Sequence, residues 1–76
     1  MLHHIVQETL DAILQERPDL QSWAADKTRE LDSLDKLQAI EWIVTSLDAG
    51  NLKIACKTLG IAESDALAMR RVLRVI

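Results

Sequence analysis

Phenylalanine and tyrosine are missing from this chain, and its aromatic side chains are two tryptophans, Trp23 and Trp42. The apolar residues that make up 49 % of the sequence are nearly all Leu, Ile, Val and Ala, a set that suits helices and disfavours strands. A single cysteine, Cys56, excludes an internal disulfide and a multi-cysteine zinc site, and it fits a reducing compartment. With two glycines there is no glycine-rich loop to cradle a phosphate. No stretch approaches the roughly 20 apolar residues that cross a bilayer. The opening MLHHIVQETLD lacks both the basic residues and the unbroken apolar run of a secretory signal. Positive charge is also short: the formal net charge is -3, so no overall field draws the chain to nucleic acid or to an anionic membrane, and any basic surface must be local. Together these absences predict a cytoplasmic, soluble protein with no membrane partner.

What is present is helical periodicity on a short chain. At 76 residues the sequence is one domain, near the size at which a single core barely offsets chain entropy, so a partner or a second copy is expected to add buried area. From Leu2 to Glu16 the apolar residues Leu2, Ile5, Val6, Leu10, Ile13 and Leu14 recur three or four apart, the mark of an amphipathic helix that must end before Pro18. A second, shorter helix carries Leu20, Trp23, Ala24 and Leu31. Asp32 and Ser33 can cap a third helix whose stripe is Leu34, Leu37, Ile40, Val44 and Leu47, with Gly50 as its left-handed stop. A two-turn helix over Leu52 to Leu59, a turn at Gly60 and a last helix from Ser64 to about Ile76 complete an all-α bundle of four to five helices. Residues 1–49 form the bundle and oligomerisation part, and residues 50–76 a helix-turn-helix-like part.

Trp42 falls outside the third helix's stripe, about 80° beyond Leu34 on the helical wheel. Two readings stand side by side: a large ring lying over a helix junction, or a contact anchor for another chain, because Trp is enriched where binding energy concentrates.

The C-terminal corner carries the clearest pattern. Cys56 offers a small residue in the first helix, Gly60 four residues later makes the turn, and Ile61 plugs the core beside Leu59. The second helix offers Ala66, Met69, Leu73 and Ile76 as its inner stripe. The segment GNLKIACKTLGI, with Gly50, Asn51, Ala55, Cys56, Gly60 and Ile61 in place, resembles the C-terminal DNA-binding helix pair of Fis-type proteins and of related enhancer-binding activators. That resemblance covers the C-terminal third and implies a regulatory protein that contacts DNA. The second helix departs from the family: it opens with Glu63, Ser64 and Asp65, where Fis-type recognition helices carry Asn, Arg and Thr. Its outward face is then Glu63, Ser64, Leu67, Arg71 and Arg74, with Arg70 on the flank and Lys53 and Lys57 as secondary basic contacts. Carboxylates near a helix N-terminus and arginines near its C-terminus also suit the helix dipole alone. Exposed Leu67 between arginines favours a protein partner, and DNA stays the alternative target.

A different class is suggested by LDSLDKL. Asp32, Ser33 and Leu34 resemble the triplet of acyl and peptidyl carrier proteins, which implies a phosphopantetheine arm on Ser33. Here Glu30 stands where carriers have glycine, the preceding loop is short, and a helix cap explains the same residues. Catalytic or metal-binding groupings are not evident. His3 and His4 are adjacent and point about 100° apart on a helix, and Cys56 is expected inside as a small hydrophobe. The sequence therefore predicts a non-enzymatic regulator with no cofactor, no metal and no small-molecule substrate, acting through Leu67, Arg70, Arg71 and Arg74, and through Trp42 if that ring is an anchor.

Overall fold

The computed structural model describes residues 1–75, and side chains for residues 1–74. Among the described residues five α-helices follow one another: α1 (His4–Glu16), then a 3-10 turn (Pro18–Leu20), α2 (Gln21–Glu30), α3 (Lys36–Ser46), α4 (Ala49–Leu59) and α5 (Glu63–Val75). They pack into an all-α globule of 30 × 25 × 19 Å, with α1 lying chiefly on α4 and α3 chiefly on α5.

Each boundary has a local cause. His3 caps α1 by accepting the Ile5 N–H on Nδ1 at 3.2 Å, and Pro18 stops it and then opens the 3-10 turn at its first position. α3 is started by Asp35, not by the expected Asp32 and Ser33: Asp35 accepts the Gln38 N–H at 2.8 Å while the Gln38 side chain accepts the Asp35 N–H at 3.0 Å, a closed capping box. Nor does Gly50 end this helix. α3 stops at Ser46, and Gly50 is the second residue of α4, whose N-terminus is capped by Asp48 through the Asn51 N–H at 2.8 Å. Gly60 does make the expected turn, with φ +70°, the left-handed region that glycine enters without strain.

Two core clusters form. Ile13, Ile43, Leu47, Leu52, Ala55, Cys56 and Ala66 make one, and Val6, Leu10, Ala24, Leu31 and Ala39 make the other. Trp23 and Trp42 are half-buried and pack against both. Trp42 thus lies over a junction between packed elements.

The register of α3 differs from the expected stripe. Ala39, Ile43 and Val44 face inward and Leu37 is 79 % exposed, because the small Ala39 lets the backbone approach its neighbours where Leu37 would hold it away. We predict from this that Leu37→Ala changes stability by no more than about 0.5 kcal/mol, whereas Ile43→Ala lowers it by about 2–5 kcal/mol, in urea unfolding followed by circular dichroism.

Candidate binding face on the C-terminal helix

The corner forms as a short connection between α4 and α5. Ile61 donates its N–H to the Cys56 carbonyl at 2.9 Å, closing the end of α4 over the left-handed Gly60. Cys56 and Ala66 are buried in the same core cluster, and Leu59 and Ile61 are half-buried along its edge. Ile61, expected to plug the core, lies at the cluster's edge instead. Burial raises the Cys56 thiol above its ordinary pKa, and the Glu63 carboxylate adds to the shift, so the thiolate is scarce and the group acts as a packed apolar side chain.

The rotation of α5 is where structure and expectation part. The inner stripe is Ala66, Arg70 and Leu73, while Met69, expected inside, is 41 % exposed. Ile76, the last member of the expected stripe, lies outside the described residues. The cause is at the end of α3, which has no basic residue in its last turn and an extended residue, Leu47, after it. Its final carbonyls need donors from elsewhere. Arg70 supplies them, donating Nε to the Val44 carbonyl at 2.7 Å and Nη2 to the Leu47 carbonyl at 2.5 Å. Arg74 adds a longer bond to the Thr45 carbonyl at 3.3 Å. A guanidinium on these carbonyls also meets the negative end of the α3 dipole. Arg70 is thus a structural clasp and not part of the outward basic face, and Arg74 divides its donors between α3 and solvent.

Turning Arg70 inward leaves two exposed surfaces on α5. Ala68, Met69 and Val72, with half-buried Leu73, form an almost purely apolar strip. On the other flank Leu67, Arg70, Arg71 and Arg74 line a groove of about 430 Å³. Leu67 is 44 % exposed in it. Lys53 and Lys57 are exposed on α4, but Lys57 lines a separate recess with Ala12, Glu16 and Ile54, so the lysines do not extend this groove. Ser33 is exposed in the turn ahead of α3, two residues before the capping Asp35. Asp32 beside it meets the terminal amine of Met1 at 3.0 Å.

One feature of the face was open to counting but hidden by the net charge. Residues 1–49 carry ten Asp or Glu against four Lys or Arg, while residues 50–76 carry two against five. The corner is locally positive on a chain that is acidic elsewhere. Among the described residues no three His, Cys, Asp or Glu side chains gather as a metal site, and no helix is long and apolar enough to cross a membrane. In comparisons with known proteins the chain matches no protein family, no curated protein and no solved structure.

Two predictions separate the roles of these residues. Arg70→Met, which keeps the stem and removes the donors, lowers stability by about 2 kcal/mol in urea unfolding, while Arg71→Met leaves it within about 0.5 kcal/mol. Cys56 in the folded chain is alkylated by iodoacetamide at mildly alkaline pH roughly a hundred-fold more slowly than in urea, and Glu63→Gln speeds the folded reaction slightly.

Proposed function

We propose that this chain is a small regulatory protein of the cytoplasm that has no chemistry of its own and works by holding a protein partner on the exposed side of α5. One observation carries the reading. The side of α5 turned to solvent presents Leu67, Ala68, Met69 and Val72, and its first turn presents Glu63 and Asp65. A helix that reads base edges needs donors in that first turn and cations facing phosphates, so carboxylates there oppose a nucleic-acid role. Apolar side chains exposed in successive turns lose water contact only when another surface covers them. The single free cysteine, buried in the corner, supports the cytoplasmic placement, since it has no partner for an oxidising compartment to join it to.

Two measurements test this. Titrated against mixed duplex DNA fragments at low and moderate salt, the purified chain retains none selectively; selective retention that Arg71→Ala removes would overturn the proposal in favour of the Fis-type reading. In affinity capture from the cells that make the chain, Val72→Asp removes the captured protein without altering circular dichroism, because a charge is set into an apolar contact. Capture indifferent to that change would place the binding face elsewhere.

The carrier reading is supported by the exposure of Ser33. It requires a phosphopantetheinyl transferase to add the mass of the arm at that serine, whereas we expect an unchanged mass.

A further inference from the structure

We propose that the groove formed by Leu67, Arg70, Arg71 and Arg74 takes an acidic segment of the partner, with an apolar side chain set against Leu67 and carboxylates on Arg71 and Arg74; this deepens, and rests on, the protein-binding reading of α5. The chain has more acids than bases, yet among the described residues none of these arginines forms a salt bridge. The ion pairs that do form join Arg17 to Asp48, Lys27 to Glu30, Arg29 to Asp26 and the terminal amine to Asp32. Arg71 has no hydrogen-bond partner among the described residues, and Arg74 has one long bond to a carbonyl.

Three guanidiniums within five residues repel one another, and carbonyl oxygens satisfy their N–H groups without neutralising them. Carboxylates would do both. Arg70 and Arg74 stand one helical turn apart, as do Leu67 and Arg71, so the groove presents two columns that meet across about 100° of the helix surface. The planar forks of Arg71 and Arg74, both exposed, match carboxylates in two-point contact. Arg70, already fixed by the Val44 and Leu47 carbonyls, brings positive charge to the groove floor with little further loss of side-chain freedom on binding. Leu67 supplies the apolar ground between the arginines, which favours a segment with an aliphatic or aromatic side chain flanked by Asp or Glu over a purely acidic run.

The test is a selection from a library of random linear peptides on the immobilised full chain. The chosen peptides are enriched in Asp and Glu around a large apolar residue, bind more weakly as salt is raised, and lose about ten-fold in affinity to Arg71→Glu. Replacing by lysine only the peptide carboxylate that faces residue 71 restores binding to that variant. Arg71 is exposed, so circular dichroism of the variant stays that of the parent; Arg70 is left in place because it holds α3.

Selected peptides without acid enrichment that Val72→Asp abolishes would keep α5 as a protein-binding helix and overturn the acidic assignment alone. Acidic peptides indifferent to Arg71→Glu would overturn the groove as their site. An empty selection, or displacement of the peptides by duplex DNA at moderate salt, would overturn both readings. A chain that dimerises by itself through Arg71, read from its solution mass, would make the occupant a second copy and end the case for a separate acidic partner.

Discussion

A helix that stops at Ser46 with no basic side chain in its last turn leaves carbonyl oxygens pointing at whatever the fold brings next, and here that is the guanidinium of Arg70. Unmet carbonyls in a covered position are costly, and a charged donor that reaches two of them removes that cost while answering the helix dipole. This contact fixes where α5 lies on α3 and how far it is rotated. The corner at Gly60 turns the chain back, but it does not set the rotation of the helix that follows. Arg70 does.

Functional consequences follow from that rotation. If the apolar stripe alone had oriented α5, Met69 would be inside and Arg70 free at the edge, leaving the outer face polar. With Arg70 turned in, the helix shows apolar Met69 and Val72 on one flank and Leu67 with Arg71 on the other. The same cation that finishes α3 therefore exposes the surface on which a partner is proposed to dock. Few apolar side chains remain to spare in a domain this small, and placing Val72 at 59 % exposure gives up burial that the fold would otherwise gain.

The number, type and order of the helices were legible because they rest on local rules: apolar spacing, the stop at Pro18 and the left-handed turn at Gly60. The boundaries around α3 were less so, although their signals were present. Asp35 followed three residues later by Gln38 is a capping box in plain sight, but Asp32 and Ser33 offered an equally good cap one turn earlier. Gly50 looked like a stop because glycine so often is one, while Asp48 two residues before it was the start of the next helix. The core face of α3 turned on Ala39, whose small size matters only against a neighbour. Most of the candidate face was named from sequence, with Leu67, Arg71 and Arg74 on its outer side. Arg70 was misplaced because the carbonyls it serves lie more than twenty residues away in the chain, and periodicity within one helix carries no record of them. Met69 and Val72 were missed for the same reason.

Trp23 and Trp42 pack against both core clusters, and no tyrosine or phenylalanine accompanies them. Every near-ultraviolet photon the protein absorbs through an aromatic ring, and all of the emission that follows, therefore originates at the joint between the two clusters. The intrinsic spectrum of this chain is a reading of that joint: a change in its emission maximum marks water reaching the indoles where the two clusters meet.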